Sequence, residues 1–558
     1  MDIVKYLTKD EIIELDNKID ERISQFKLLS TPRSQALFNI LLHFELLIDE
    51  LGKDSDLSRR RNLYRKFYNG LNHAVKWIYK FCPQAGQNYD SFLDTNSINE
   101  AHKLFDEAIE YSDLFSQMSL IHRGRNKCKL LKPNVFEITS ATLKDKDLDA
   151  ARQLLAQATD PKDFGDTIEI TPQTQMYVKN NLYVKQRKNS ELTYSVSPNI
   201  FSNLVTAIEQ RSLLKWSMDS GWDLGGYSFE QLRKLWFTLK GLCILYDIAL
   251  ESVKNEKKRL NLSIRIRSCE EWINELTQTS KLPKQIVRQI VNDLTYDETL
   301  YQRGNQKVHV MFQPFFRFQN GKLGLSSRII RISNIERNAW NLVSFLRPKL
   351  HDNLKQLKES FWILDLNKRI ETLGLKSFHS FDYKQGNIDL LIIDEKLNFG
   401  LNCELKWLTK SDDVAGTDAV DKEIIKGVEQ ALRASKWIQS NLIPLSQRIG
   451  MTINKLNHFD FKPLVICKEN LPSGFLGKTD VPVINQQLFN LVLSEPHNKD
   501  LPSLWNVANS MSYLPKLGVH YENVSPIIKW GKMQFILKEV ASIPLKRWNP
   551  DTDISFEN

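Results

Sequence analysis

Residues 386–407, GNIDLLIIDEKLNFGLNCELKW, restrict what this chain can fold into more than any other stretch. They read as two apolar strands, 388–393 and 399–407, joined by a short polar turn. The first carries one acid, Asp389. The second carries Glu404 and Lys406, with Leu405 between them. Side chains alternate faces along a strand, so Glu404 and Lys406 project together while Leu405 points the other way. Two carboxylates and a lysine among strand-forming apolar residues are costly to bury unless they have a task. Holding a divalent metal is such a task, because hard cations such as Mg2+ take oxygen ligands and can grip substrate phosphate as well. A lysine beside the metal orients or deprotonates water and offsets transition-state charge.

Each residue also has a plainer reading. Glu-x-Lys is commonly an exposed charge pair on a strand, yet Leu401, Cys403, Leu405 and Trp407 already supply one apolar face here. Asp389 as a turn-adjacent surface acid fits poorly with its setting, Ile-Asp-Leu-Leu-Ile-Ile.

An Asp on one strand followed by Glu-x-Lys on the next resembles the signature of the PD-(D/E)XK nuclease superfamily, which has the restriction-endonuclease-like fold. The match is Asp389, then Glu404-Leu405-Lys406. The flanks resemble it too. A helical stretch over 354–373 contains Glu359 and ends at Gly374, and a strand over 375–381 follows. Beyond the motif come an amphipathic helix over 418–439 carrying Lys426 and Gln430, the strand FKPLVICKEN, and VPVINQQLFNLVL, a short strand running into a helix. The resemblance covers residues 345–495. The family's nominal Pro before the Asp is absent, with Asn387 and Ile388 in its place.

The resemblance implies a Mg2+-dependent endonuclease acting on DNA, with Mn2+ as an alternative ion. Asp389 and Glu404 would hold the metal, the Leu405 carbonyl and Glu359 are further candidate ligands, Lys406 would position the attacking water, and Gln430 with Lys426 would fix water or phosphate. For Glu359 an ordinary solvated-face acid is the alternative. Bacterial anti-phage defence is the implied setting, with the N-terminal region sensing a trigger, restraining the nuclease or building an oligomer. DNA repair or recombination and an RNA substrate stay open, as does a non-catalytic scaffold that binds nucleic acid or a partner subunit. The intact Asp, Glu and Lys speak against the last.

A length of 558 residues favours several structural units. The expected fold is multidomain: a mainly α-helical N-terminal region with a small β insertion, then a C-terminal α/β restriction-endonuclease-like domain. The expected divisions are a helical domain at 1–160, a mixed domain with short strands and a β-hairpin at 161–344, the nuclease-like domain at 345–495 and a C-terminal extension at 496–558. Helices are expected over 10–26, 31–51, 58–81 and 99–117, and the basic run at 122–132 reads as a loop able to meet phosphate. Short strands follow at 166–170, 175–178 and 182–185. Helices resume over 197–217, 228–253, 264–276 and 283–294, with 254–259 as a loop or frayed end. Asn320-Gly321 marks a hairpin between strands at 308–318 and 323–332, and a helix over 334–346 leads into the nuclease-like region.

A net charge of +9 suits a polyanionic partner without requiring one. Six cysteines without any CxxC pair exclude a zinc ribbon and a disulfide scaffold. ALFNILLHFELLI is interrupted by His43 and Glu45, so a cytoplasmic protein without a membrane partner is expected. GFLGKTD at 474–480 is two residues too short for a P-loop. His379 reads as a strand residue, and Trp505, Trp530 and Trp548 read as packing.

Overall fold

The computed structural model describes residues 5–52, 57–84, 95–141, 148–152, 154–155, 170–186, 192–211, 221–296, 309–333, 335–384, 386–408, 414–469, 471–494 and 497–542. The protein is mixed, with many helices and several small sheets. It gathers into two compact units, each made of separated segments: 13–115 with 162–354, and 1–12 with 116–161 and 355–558. That grouping cuts across the four-part division expected from the sequence. Residues 126–140 do not close a helical domain; they share a sheet with 527–537. Among the described residues no helix is long and apolar enough to cross a membrane.

The first unit is largely helical and includes α1 (Arg33–Leu51) and the part of α2 (Thr95–His122) up to Phe115. Its helix Phe229–Glu251 is largely buried. A reciprocal cap starts that helix: Ser228 Oγ accepts from the Gln231 N–H at 3.2 Å, and Gln231 Oε1 accepts from the Ser228 N–H at 2.8 Å. The same chemistry corrects two expectations. Ser268 and Glu271 form such a box, so 264–276 is a strand (Arg265–Ser268) followed by a helix (Cys269–Ser280). Asn255 caps a helix at Glu256–Leu262, where a loop or frayed end was expected. Residues 175–178 are helical, not a strand, because Thr171 caps Pro172–Asn180 with Pro at its first position. The strand expected at 182–185 forms as Tyr183–Gln186, paired with Leu192–Ser195, whereas 166–169 lies outside the described residues. The Asn-Gly hairpin is present but short: Phe315–Arg317 pairs with Lys322–Leu325. Asn320 and Gly321 take the left-handed φ values of 58° and 69° that such a turn demands. Residues 327–332 leave the sheet as a helix.

The second unit contains two five-stranded sheets. In one, β1 (Lys5–Tyr6), β2 (Asn126–Lys132) and β3 (Val135–Ser140) are continued by strands from the C-terminal region. The basic run at 122–132 is therefore mainly strand, where a loop was expected. In the other sheet lie β4 (Lys376–Tyr383), β5 (Gly386–Asp394), β6 (Phe399–Lys406), β7 (Asp460–Cys467) and β8 (Val483–Asn485), in the spatial order β8-β7-β6-β5-β4. The β4, β5 and β6 strands are antiparallel neighbours, while β6, β7 and β8 run parallel. The first sheet is completed by β9 (Ile527–Trp530) and β10 (Met533–Leu537), with β10 parallel to β3.

Alternation divides the second sheet's side chains between two cores. Leu390, Ile392, Leu401, Cys403 and Leu405 pack with Trp362, Leu366 and Ile370 of α3 (Pro348–Thr372). On the opposite face, Leu391 and Ile393 meet Ala434 and Ile438, and Val465 meets Ile424 and Ala431. Those partners belong to α4 (Val414–Ser440), the crossover between β6 and β7. Two further helices, α5 (Gln486–Leu493) and α6 (Leu501–Ser510), close the α3 side through Leu488, Val492, Leu501 and Leu504. Trp530 is fully buried and Trp505 packs on this core, as read from the sequence; Trp548 lies outside the described residues.

Candidate metal and catalytic site

The site lies where two strands part. The β5–β6 ladder runs from Asp394 opposite Phe399 to Leu390 opposite Cys403, and there it stops. Asp389 and Glu404 are the next residues on the two strands. With the backbone pairing ended, the Leu405 N–H donates instead to Asp389 Oδ2 at 2.9 Å. The other carboxylate oxygen, Oδ1, accepts from Asn387 Nδ2 at 2.9 Å. The β4 strand is also irregular at this level. Its pairing with β5 passes from Ile388–Phe381 to Leu390–His379, and Ser380 between them has φ 52°. A non-glycine residue in that region costs on the order of 1 kcal/mol or more.

Glu404 and Lys406 project toward α4, while Leu405 enters the core on the α3 side. Lys406 Nζ donates to Glu404 Oε1 at 2.8 Å and to Gln430 Oε1 at 3.0 Å. The helix can approach this closely because residue 427 is glycine. A methyl group there would lie 2.9 Å from Lys406 Cε and 3.5 Å from Glu404 Cγ.

The electrostatics follow from burial. Glu404 is only 3% exposed. Desolvation, then the neighbouring charge of Asp389, pushes its carboxyl up to about 7. Burial also raises Asp389, although the Leu405 N–H and Lys406 pull the other way. Burial works to depress Lys406, but Glu404 and Asp389 outweigh it and hold the ammonium above its ordinary value. Glu359 belongs to the same field: burial raises its carboxyl, and the charge of Asp389 raises it further. Two carboxyl groups, Asp389 and Glu404, thus stand with Lys406, and the exposed Glu359 acts on them through its charge. The carboxylate oxygens of Asp389 and Glu404 are donors of the kind a hard cation takes.

Of the residues singled out in the sequence, Asp389, Glu404, Leu405, Lys406 and Gln430 meet here, with Glu359 in electrostatic reach. Lys426 does not join them. The buried stripe of α4 runs through Ile424, Gly427, Val428, Ala431 and Ala434, with Gln430 on its flank and Lys426 beyond it. The Lys426 ammonium is exposed and pairs with Glu423 at 2.5 Å. His379 is an exposed strand residue.

Sequence reading missed Asn387, Ser380 and Gly427, although a glycine inside a helix is costly enough to have been a signal. It also missed two lysines that pack over Trp407. Lys358 Nζ and Lys468 Nζ lie 4.3 and 4.1 Å from the ring centre of Trp407, the residue after Lys406. Tyr383 stacks on Trp437 with ring centres 5.0 Å apart. Burial raises the Tyr383 hydroxyl, and the charges of Arg433 and Glu404 act on it in opposite directions. No family model, curated protein or solved structure matches the chain.

Proposed function

We propose that this protein is a divalent-metal-dependent nuclease of the PD-(D/E)XK kind that hydrolyses phosphodiester bonds of DNA. The observation that carries the reading is the meeting of Asp389, Glu404 and Lys406 where β5 and β6 separate, with Glu404 buried, Asp389 half-buried and both carboxyls raised. The element order supports it: α3, β4, β5, β6, α4 and β7 follow in the order expected for a restriction-endonuclease-like domain, with two short helices, Leu442–Ile449 and Ile453–Leu456, added before β7.

In this reading Asp389 and Glu404, with Glu359 beside them, hold Mg2+ or Mn2+. The bound ion supplies positive charge to the scissile phosphate and acidifies a water. Lys406, kept charged by Glu404 and anchored by Gln430, orients the attacking water through its remaining protons and offsets charge on the pentacoordinate phosphorus. The Asn387 and Leu405 donors fix the rotamer of Asp389 so that it offers its oxygens without reorganising. Anti-phage defence is the setting we propose for such a site on a chain with a second large unit.

Wild type and Lys406→Ala compared on plasmid, linear duplex, single-stranded DNA and RNA in Mg2+ or Mn2+ test the activity and its substrate class together. The variant is expected to keep nucleic-acid binding and lose cutting by at least about 100-fold. Equal cutting by both proteins would reject the assigned role of Lys406.

A further inference from the structure

We infer that His43, His102 and Asp106 form a second metal site, of the class that takes zinc, in the unit that does not carry the carboxylate pocket. His43 stands on α1. His102 and Asp106 stand on α2 one helical turn apart, and so share a face. Each offers a donor atom, and the three atoms lie within 4.8 Å of one another. His43 Nδ1 and His102 Nδ1 are 3.2 Å apart. At a zinc–nitrogen distance of roughly 2.0–2.1 Å, adjacent donors of a tetrahedral zinc ion are separated by about 3.3 Å.

The state of His43 is the second observation. The residue is 5% exposed, and a buried histidine ordinarily satisfies both nitrogens with protein or water oxygens. Here one nitrogen faces another imidazole, and Nε2 has no hydrogen-bond partner among the described residues. Two facing imidazole nitrogens can share at most one proton, whereas a cation between them would take both Nδ1 lone pairs. Two imidazoles and a carboxylate favour zinc or a neighbouring transition ion over Mg2+. Three protein donors leave a fourth position to water, and the exposed His102 and Asp106 leave the ion a path from solvent. The bound ion would clasp α1 to α2. Nothing in the local sequence announces it, because the ligands lie 59 positions apart, at 43 and 102.

The test uses the untagged full-length chain, stripped by chelation and titrated with zinc chloride by calorimetry, with thermal melts in parallel. An Asp389→Asn, Glu404→Gln variant keeps the carboxylate pocket out of the count. That variant is expected to bind one zinc and to melt at rising temperature as zinc increases. Adding His102→Ala should weaken zinc binding by more than about 100-fold and abolish the rise, while the zinc-free melt stays unchanged. His102 is exposed, so this substitution leaves the core intact. Zinc binding unaltered by His102→Ala, or no zinc binding by the pocket variant, would overturn the proposal.

Discussion

Glu404 makes a prediction that depends on one carboxyl. Its pKa is raised from 4.5 to about 7 in the folded protein. The folded state therefore holds this proton more tightly than the unfolded chain does. Metal-free protein is at its best below about pH 4.5 in this respect and loses the contribution as pH rises through 7. At roughly 1.4 kcal/mol per pH unit the loss amounts to about 3–4 kcal/mol. Glu404→Gln carries no charge to bury, so in chelator it should melt above wild type at pH 8, with the gap closing toward pH 5. An identical gap at both values would show that burial of the charge is not the cause. Asp389, Glu404 and Lys406 could be read from the sequence because ionisable groups in apolar strands are expensive and therefore informative. Asn387 and Ser380 could not, because they act through the course of the backbone where the ladder ends, and residue type alone does not record that.

At the scale of elements, α4 decides how the site is built. Gly427→Ala should raise the helix's own stability by about 0.5–1 kcal/mol. It also places a methyl group against Lys406, whose flexible end must give way. We expect unchanged or slightly higher thermal stability with cleavage reduced about tenfold or more; full activity in this variant would show that the close approach is unimportant. The helix is anchored at its other end by Asp421, which is 2% exposed. Asp421 accepts from the Ser473 N–H at 2.8 Å, from Ser473 Oγ at 2.5 Å and from Arg125 at 3.3 Å. Arg125 also pairs with Asp418. Asp421→Ala removes the acceptor of the Ser473 N–H and hydroxyl and should cost about 1–3 kcal/mol in urea unfolding; an unchanged unfolding midpoint would contradict this. The helix was legible from its period. Its burial stripe was less so: Lys426 and Gln430 are four apart, yet only Gln430 lies close enough to the stripe to reach Lys406. Elsewhere, helix caps decided what periodicity left ambiguous, as at Thr171 and Ser268.

For the whole molecule, both units are assembled from distant segments, a feature that a pass along the chain cannot see because it groups neighbours in sequence. The core on the α3 side includes Leu155 from the N-terminal half and Leu501, Leu504, Val507 and Tyr513 from beyond residue 495. An excised 345–495 fragment lacks all of these and should unfold at lower urea than the same unit in the full chain, with exposed apolar surface; equal stability would contradict the interleaved assembly. The full-length protein is thus the form in which to test the central claim, that Asp389 and Glu404 hold the catalytic metal. The most direct measurement is cleavage of DNA in Mn2+ by wild type and by the double variant Asp389→Ala, Glu404→Ala, with folding checked by circular dichroism. The account predicts metal-dependent cutting by wild type and none by the folded double variant. Cutting that persists in the double variant would contradict it.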